Sequence, residues 1–377
     1  MPSPIRILHV IGAMNRAGAE TMIMNLYRAC DTDKVQFDFL VNDEGDYDEE
    51  IRSRGGRMYR IPRYAIRNYR SYRKACAAFF DAHDEFAVVH GHIGLPAPIY
   101  LEQARRRGIY AVAHSHAQNY PLSPSEAAFR LCSFPVRRHA DFFMACSRQA
   151  GIDRFGMRVC NDTNRFFVLN NGIDLARYRF DAQKRRDMRD ELGLSEETPV
   201  FGHVGRFDPV KNHRFLLDVF AAVAEREPRA KLVLVGRPDE DGAVMAHARA
   251  LGIEKSVMAL GLRDDIERLL CAFDAFLFTS FKEGLGMAVV EAQAAGLPCL
   301  VSTGVPKLTR ASGLVDFLDL EQGARVWADK ALDMLDRHRG FERTDAIENV
   351  RAAGFDIAAS AAWLQEFYLD HAKGSPS

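Results

Sequence analysis

The sequence lacks an excess of charge of either sign. It has 50 lysines and arginines against 51 aspartates and glutamates, a formal net charge of −1. Nucleic-acid-binding domains are usually strongly basic, so we expect no nucleic-acid partner. Runs of 18 apolar residues are also absent, and the first apolar run, Ile5–Ile11, is followed at once by Gly12. The sequence therefore predicts no membrane-spanning helix, and Ile5–Ile11 is typical of a first β-strand.

Motifs that commonly bind metals are missing as well. The seven cysteines include no CxxC pair, and no HExxH motif occurs. This pattern is typical of reduced thiols in a cytosolic protein and argues against a disulfide framework or a structural zinc site. Two DxD triplets, Asp31–Asp33 and Asp46–Asp48, lie in polar linkers. We therefore expect no metal cofactor.

Short apolar runs alternate with longer segments of helical periodicity. In the first half, the predicted strands are Ile5–Ile11, Phe37–Val41, Phe86–His90, Ile109–Ala113, Phe142–Cys146 and Phe166–Leu169. In the second half, they are Val200–Val204, Lys231–Val235, Val257–Leu260, Ala275–Phe278 and Pro298–Ser302. Such alternation predicts parallel sheets with helices on both faces. Two series in 377 residues predict an α/β protein of two doubly wound domains.

The turn signal Asn170-Asn171-Gly172 separates the two series and marks the predicted domain boundary. The predicted domains are residues 1–172 and 173–355, and we expect residues 356–377 to form a helix that packs back on the first domain. Ligands of open α/β sheets bind beyond the carboxyl ends of the strands. Two facing sheets would therefore place a ligand cleft between the domains.

Two basic residues follow a predicted strand of the second domain. Arg206 and Lys211 come after Val200–Val204 and Gly205. The guanidinium fork of Arg206 and the point charge of Lys211 could together neutralise a diphosphate. A surface loop with ion-paired basic residues would show the same pattern.

A second motif, Ser280–Ala292, follows the strand Ala275–Phe278. Its turn leads into a helix whose first N–H groups could bind an anion. Glu283 and Glu291 would lie on the order of 10 Å apart along the helix axis, at 1.5 Å per residue. This separation is too long for one acid/base pair and suits an extended ligand, although an ordinary turn with two surface acids would look the same.

The loop Gly12–Glu20 joins the first predicted strand to the first helix. Its backbone N–H groups could also face a phosphate. Because the loop lacks the GxGxxG pattern of dinucleotide-binding folds, hydride transfer is disfavoured.

Taken in chain order, these segments resemble the retaining glycosyltransferases of family 4, which have the GT-B architecture of two Rossmann-like domains facing across a cleft. The matching positions are Gly18–Glu20, Asn171–Asp174, Gly205 with Arg206 and Lys211, Gly261–Asp265, and Glu283 with Glu291 at the family's E-x7-E spacing. Within the family, the chain is most similar to the EpsF/CapM-type enzymes of exopolysaccharide and capsule assembly.

The resemblance implies roles for the second domain, which would bind a nucleoside diphosphate sugar. Arg206 and Lys211 would hold the diphosphate and stabilise the leaving group. Glu283 would bind sugar hydroxyls, and Glu291 would accept hydrogen bonds from the ribose. Further donor contacts are implied for the backbone and loop residues Leu285, Gly286, Met287 and Arg263.

The first domain would face the acceptor, and the resemblance implies two donor contacts from it. These are the loop residue Gly18 and a histidine near the donor sugar. His116 fits that place better than His114, although the pair is ambiguous by two residues. Five histidines, His83, His90, His92, His114 and His116, cluster in sequence. The pairs His90/His92 and His114/His116 both end predicted strands and could converge, but we expect no metal site there because no metal-binding motif is present.

A basic stretch, Arg52–Lys74, contains no acid and is interleaved with four tyrosines. Such a segment suits an anionic membrane surface, and a solvated face paired with acids elsewhere explains it equally well. Ala127–Pro135 is predicted to be a packed helix, with an acceptor-side wall near the bilayer as the alternative.

Together, these patterns predict a metal-independent retaining glycosyltransferase. It would move a hexose or N-acetylhexosamine from a nucleoside diphosphate sugar, with UDP as the expected nucleotide, to a lipid-linked saccharide. We expect a cytoplasmic protein that can bind peripherally to the inner membrane face. The alternatives are a UDP-sugar 2-epimerase of the same fold and a catalytically inactive GT-B subunit.

Overall fold

The computed structural model describes residues 3–92, 94–116, 123–338 and 343–372. The chain folds into two compact units. The first unit comprises Met1–Gly172 and Ile357–Ser377, and the second comprises Ile173–Asp356. Residues 373–377 of the predicted C-terminal segment lie outside the described ranges.

The first unit is built on one parallel sheet. Its strands are β1 (Ile5–Val10), β2 (Val35–Val41), β3 (Met58–Arg60), β4 (Phe86–His92), β5 (Tyr110–Ser115), β6 (Phe142–Ala145) and β7 (Phe166–Val168). Its helices are α1 (Gly18–Ala29), α2 (Asp48–Ser53), α3 (Tyr69–Ala82), α4 (Ala97–Arg105), α5 (Pro124–Ser133), α6 (Val136–His139), α7 (Arg148–Phe155) and α8 (Met157–Cys160). The strand order is β3-β2-β1-β4-β5-β6-β7.

The second unit repeats this architecture. Its helices are α9 (Ala182–Glu191), α10 (His213–Ala224), α11 (Ala243–Ala250), α12 (Ile266–Ala272), α13 (Met287–Ala294), α14 (Gly323–His338) and α15 (Ile347–Ala352). Its strands are β8 (Val200–Val204), β9 (Lys231–Val235), β10 (Val257–Ala259), β11 (Ala275–Phe278), β12 (Cys299–Ser302) and β13 (Val315–Leu318), in the order β10-β9-β8-β11-β12-β13. The last helix, α16 (Ile357–Ala372), belongs to the first unit.

Both faces of each sheet are covered by helices. In β1, Leu8 and Val10 pack against α3, α4 and α7, whereas Ile7 packs on the opposite face with α1 and α16. In the second unit, α10 and α14 cover one face, and α12 and α13 cover the other. Because no strand face is left to solvent, β2 is buried along its whole length. Its one carboxylate, Asp38, is paired with Arg6 at 2.6 Å.

The two strand orders fix where a ligand can bind. In the first unit the strand order reverses between β1 and β4, and in the second it reverses between β8 and β11. The loops beyond the carboxyl ends of these strands diverge to opposite faces of the sheet, which leaves a crevice at each switch point. The predicted motifs after β1, β8 and β11 therefore lie where such folds bind their ligands.

The predicted strands are confirmed, and three of them, β8, β9 and β11, have the predicted bounds. Two strands were not predicted, β3 and β13, which lie at the edges of their sheets. The interpretation of Asp46–Asp48 as a linker is wrong at Asp48, which begins α2. Asp48 is buried, and its carboxylate pairs with Arg60 at 3.0 Å, which offsets part of the cost of burying the charge.

All seven cysteines lie in the described ranges and carry free thiols, as their spacing predicts. Six are buried, and Cys132 is half-buried. Among the described helices, we find none that combines the length and the apolar character needed to cross a bilayer.

Candidate functional site

An ion pair joins the two motifs that follow β8 and β11. The Lys211 Nζ lies 2.6 Å from the Glu283 Oε1, and both side chains are largely shielded from solvent, at 19% and 12% exposure. The pair stands at the switch point of the second sheet, as the sequence motifs predict. Arg206 lies in the same loop as Lys211 and is exposed, with no acidic partner within 4 Å among the described residues.

Local structure fixes the position of Lys211. The residue ends a 3₁₀ turn, Pro209–Lys211, which Asp208 caps by accepting a hydrogen bond from the Val210 N–H at 2.9 Å. The Lys211 side chain then lies along Gly205, where an added Cβ would come within 3.5 Å of Lys211 Cδ. Its ammonium group stands 5.2 Å from the centre of the Phe278 ring. The Glu283 carboxylate and the face of the Phe278 ring thus hold the ammonium charge of Lys211 at the carboxyl edge of the sheet.

Helix α13 begins at the same place. Gly286 precedes it in the left-handed conformation, with φ of 79°, and no side chain caps the helix start. Its first backbone N–H groups can therefore bind an anion, with the helix dipole adding to the attraction. Leu285 is buried, and its carbonyl accepts a hydrogen bond from the Thr309 hydroxyl. Met287 is the first residue of the helix.

Glu291 lies in α13 and contacts a different set of groups from Glu283. Burial raises the pKa of its carboxyl group from 4.5 to about 7, against the lowering effects of a hydrogen bond with Tyr178 and the charge of Arg177. Arg177 is itself paired with Glu267 at 2.8 Å. Glu291 can therefore exist as either a carboxylic acid or a carboxylate near neutral pH.

The guanidinium group of Arg263 is already engaged. It pairs with Asp265 at 2.7 Å and with Glu191 at 2.9 Å, and these partners raise the pKa of Arg263 above its ordinary value. The loop before it is tied to the neighbouring strand, because the Gly236 N–H donates to the Gly261 carbonyl at 2.9 Å. A contact between this guanidinium and a nucleotide would require the ion pairs to open.

In the first unit, Gly18 begins α1 at the switch point after β1. The helix has no side-chain cap, and Ala17 occupies the N-cap position. A Cβ added to Gly18 would meet nothing within 4 Å. Packing of this unit therefore does not require glycine here, and α1 presents uncapped N–H groups at the sheet's carboxyl edge.

Histidines of three neighbouring strands form hydrogen-bonded lines on the sheet face that α1 and α16 cover. His116, just after β5, faces His92 at 2.7 Å between Nε2 and Nδ1, and His92 faces His9 at 3.0 Å between Nε2 and Nδ1. We call His9, His92 and His116 the histidine ladder. A second line joins His114 Nδ1 to His90 Nε2 at 3.0 Å.

The predicted convergence of the histidines is therefore confirmed for His90, His92, His114 and His116. His83, which the prediction of convergence did not include, faces Glu85 at 3.4 Å and contacts the rings of Phe79 and Phe86 on the other side of the sheet. The structure also distinguishes the two candidate histidines. His114 lies inside β5 and is buried, whereas His116 follows the strand and is only half-buried.

Two members of these clusters were not predicted from the sequence. His9 is a polar residue within an apolar strand, which is a signal that could have been noticed. Tyr178, the partner of Glu291, follows the predicted domain boundary and carries no local pattern.

Comparisons with known proteins show the family to which the chain belongs. Residues 17–153 match the glycosyl transferase 4-like domain, and residues 184–310 match the group 1 glycosyl transferases. The glycosyltransferase EpsF of Bacillus subtilis is 37% identical over 331 residues, which cover 86% of each chain. The chain belongs to the group 1, family 4 glycosyltransferases. It is thus a nucleotide-sugar-dependent transferase of class EC 2.4.

Two further proteins are similar at lower identity. An Escherichia coli UDP-Gal:α-D-GlcNAc-diphosphoundecaprenol α-1,3-galactosyltransferase is 28% identical over 76% of each chain. Among solved structures, Anabaena HepE in complex with UDP superposes with a TM-score of 0.80 at 18% identity, over 97% of this chain and 100% of HepE. HepE has also been solved with UDP-glucose. The structural likeness establishes that this glycosyltransferase has the GT-B fold.

Proposed function

We propose that this glycosyltransferase transfers a hexose or N-acetylhexosamine from a UDP-sugar to a lipid-linked saccharide with retention of configuration. The observation that supports a UDP-sugar donor is the Lys211–Glu283 pair beside the uncapped start of α13. With the exposed Arg206 of the same loop as Lys211, the carboxyl ends of β8 and β11 carry two cations and a set of free N–H groups, which suits a diphosphate. The UDP and UDP-glucose complexes of HepE support the choice of nucleotide.

In the proposed mechanism, Lys211 exchanges its carboxylate partner for the diphosphate when the donor binds. Glu283 is then released to accept hydrogen bonds from sugar hydroxyls, and Glu291 accepts those of the ribose. Leu285, Gly286 and Met287 offer backbone groups to the sugar and phosphate, and Gly18, Arg263 and His116 complete the donor contacts. As the glycosidic bond breaks, Arg206, Lys211 and the α13 dipole stabilise the negative charge that develops on the leaving diphosphate.

The donor half can be tested with a panel of sugar nucleotides. We expect UDP and one UDP-sugar to raise the melting temperature, and Lys211→Gln and Glu283→Gln to lower kcat by roughly 100-fold or more. Lys255→Gln, on an exposed turn, is the matched control and should keep wild-type turnover. Unchanged turnover in both site variants would remove the roles assigned here.

The same panel distinguishes the alternatives. Consumption of a UDP-sugar without any acceptor, with a second UDP-sugar as product, would show a 2-epimerase. Absence of turnover with every donor, despite nucleotide binding, would show a binding subunit. Retention is read from the anomeric configuration of the purified product by NMR.

The lipid-linked acceptor is supported by the activity for which the E. coli relative is named and by one surface of the first unit. Large apolar side chains are exposed there, with Ile66 at 64%, Tyr69 at 46%, Leu131 at 76% and Phe134 at 52%. Helices α3 and α5 both pack against α4, so α5 lies on the same side of the sheet as the basic stretch. Exposed aromatic and aliphatic side chains between cations are typical of membrane-binding surfaces.

The basic stretch divides into paired and unpaired cations. Six of its arginines have acidic partners within 4 Å, namely Arg52, Arg54, Arg57, Arg60, Arg63 and Arg73. Among the described residues, no such partner is found for Arg67, Arg70 or Lys74. The solvated-face explanation therefore accounts for the six, and we propose that the other three contact anionic lipid.

Vesicle binding tests this surface by comparing two triple variants that each remove three positive charges. At about 1 kcal/mol per cation, the triple variant Arg67→Gln/Arg70→Gln/Lys74→Gln should bind phosphatidylserine vesicles roughly 100-fold more weakly. The control Arg54→Gln/Arg57→Gln/Arg63→Gln removes three paired cations and should bind nearly as well as wild type. Equal loss in both variants would mean that net charge alone governs binding.

A further inference from the structure

The histidine ladder connects a proposed donor contact to the interior of the first unit. His116 stands at its outer end, His92 in the middle and His9 at its inner end, where the His9 ring lies 4.3 Å from the ring of Phe37. The two distances between facing ring nitrogens, 2.7 Å for His116–His92 and 3.0 Å for His92–His9, are hydrogen-bond distances. Each therefore requires one proton between the facing nitrogens.

The imidazoles of the ladder are neutral at physiological pH. Burial lowers the pKa of His9 to about 3 and of His116 to about 4, and it lowers the pKa of His92 well below its ordinary value. A neutral imidazole has one N–H donor and one lone pair. The ladder consequently has only two proton arrangements, in which both N–H groups point either outward to His116 or inward to His9.

The inner end of the ladder distinguishes the two arrangements. His9 Nε2 is buried and has no hydrogen-bond partner among the described residues. The inward arrangement would place an N–H donor there without an acceptor, and buried N–H groups without partners are rare. The outward arrangement leaves a lone pair there and moves the unpartnered N–H to His116 Nδ1, which also has no partner among the described residues. The two ends differ in access: His9 is 1% exposed beside Phe37, whereas His116 is half-buried just after β5, where an oxygen of the proposed donor can accept from it. We therefore infer the outward arrangement. His9 Nδ1 then donates to His92 Nε2, and His92 Nδ1 donates to His116 Nε2.

We propose that His92 and His9 are positioning residues that hold His116 as its Nδ1–H tautomer, so that His116 offers a hydrogen-bond donor to an oxygen of the sugar nucleotide. The proposal rests on the proposed function for its ligand. Its structural support is that His116 Nδ1, the outer end of the ladder, has no partner among the described residues. The hydrogen bond made by one imidazole nitrogen decides which nitrogen carries the proton.

A metal site is the competing explanation for the same cluster. One ring nitrogen from each of His90, His92 and His114 lies within 4.8 Å of the others. The rings of His90 and His92 are nearly parallel, at 16°, with centroids 4.8 Å apart. Imidazoles bind metals with in-plane lone pairs, so two stacked rings cannot direct theirs at one ion without turning. The hydrogen-bonded arrangement requires no such movement.

Histidine-labelled full-length protein provides a direct test. Two-bond ¹⁵N–¹H correlation spectra report which nitrogen of each histidine is protonated, and His116→Gln assigns the signal. In the wild type, we expect His116 to carry its proton on Nδ1. A His116 protonated on Nε2, or stoichiometric Zn²⁺ binding that shifts the signals of His90, His92 and His114, would overturn the proposal.

Variants at the inner end test the positioning role. His9→Phe removes the donor to His92 and should shift the His116 signal towards Nε2–H, with kcat/KM for the donor lowered about 10-fold. His9→Asn keeps a donor near the Nδ1 position and should restore the tautomer and most of the activity. Tyr368→Phe is the matched control, because it removes the hydroxyl that faces His90 Nδ1 at 2.5 Å in the second line and leaves the ladder intact.

The two readouts separate the possible failures. If His9→Phe shifts the tautomer but the wild type turns over no UDP-sugar, the proposed function fails and the positioning role stands. If the wild type is active and His9→Phe lowers kcat/KM without moving the tautomer, His9 is only structural and the inference is wrong.

Discussion

At the scale of single residues, the two glutamates of the E-x7-E pair are held in different electrostatic environments. Glu283 forms an ion pair with Lys211 at 2.6 Å. Glu291 has a tyrosine as its hydrogen-bond partner, and burial raises the pKa of its carboxyl group to about 7. A ligand that brings hydroxyl groups to both positions would therefore meet a paired carboxylate at one and a titrating carboxyl group at the other.

This difference predicts a pH dependence of stability. The folded state keeps Glu291 protonated up to a pH of about 7, whereas the unfolded chain ionises it near 4.5. Between these values the unfolded state binds fewer protons, so the free energy of unfolding should fall as the pH rises from 4.5 to 7. The full pKa shift corresponds to roughly 3 kcal/mol. Because the side chain is partly accessible, we expect about 1–2 kcal/mol.

Urea titration at pH 5 and pH 8 measures this slope. Glu291→Gln should flatten it for the second unit. Glu348→Gln, a control at a carboxylate that is 76% exposed, should leave the slope unchanged. A slope in Glu291→Gln equal to that of the wild type would place the titration elsewhere.

The sequence predicted those residues whose position follows from the order of strands and loops. Arg206, Lys211 and Glu283 follow the carboxyl ends of the adjacent strands β8 and β11, and Lys211 and Glu283 form an ion pair there. His9 and Tyr178 were missed for a physical reason. Their contacts are made by side chains from segments far apart in the chain, and no local pattern encodes which groups face each other across a sheet.

At the scale of elements, hydrophobic runs predicted the central strands better than the edges. Central strands are buried on both faces, so their sequences are almost continuously apolar, as in β9 and β11. The edge strands β3 and β13 are short, and most of their residues are only half-buried. Three or four residues with mixed polarity, such as Met58–Arg60, do not differ in sequence from a loop.

The turn before α13 provides a test at this scale. Gly286 has φ of 79°, and a Cβ there would approach Val305 Cγ1 to 3.1 Å. Gly286→Ala should therefore lower the free energy of unfolding by about 1–2 kcal/mol, measured by urea titration. Gly284→Ala, two residues earlier, is the control, because its Cβ would meet nothing within 4 Å. Equal stability of the two variants would show that the turn can relax to another conformation.

At the scale of the whole molecule, the chain begins and ends in the same unit. Helix α16 lies against the first sheet, where Leu364 and Tyr368 are fully buried and Trp363 stacks on Phe167 with 3.6 Å between ring centroids. It also closes the second histidine line through Tyr368 and His90. The covering of the face that contains the histidine ladder therefore depends on a helix that the whole second unit, Ile173–Asp356, separates in sequence from the rest of the first unit.

This arrangement predicts that a cavity in α16 destabilises the first unit selectively. Leu364→Ala should lower its free energy of unfolding by about 2–5 kcal/mol, because the leucine side chain is fully buried. Hydrogen exchange followed by mass spectrometry should show faster exchange in β1, β4 and β5 and unchanged exchange in β8 and β11. The control Glu366→Ala alters an exposed residue of the same helix and should leave both units unchanged. Faster exchange in the second sheet as well would mean that the two units unfold as one, and would relate the stability of the second unit to a helix that is not part of it.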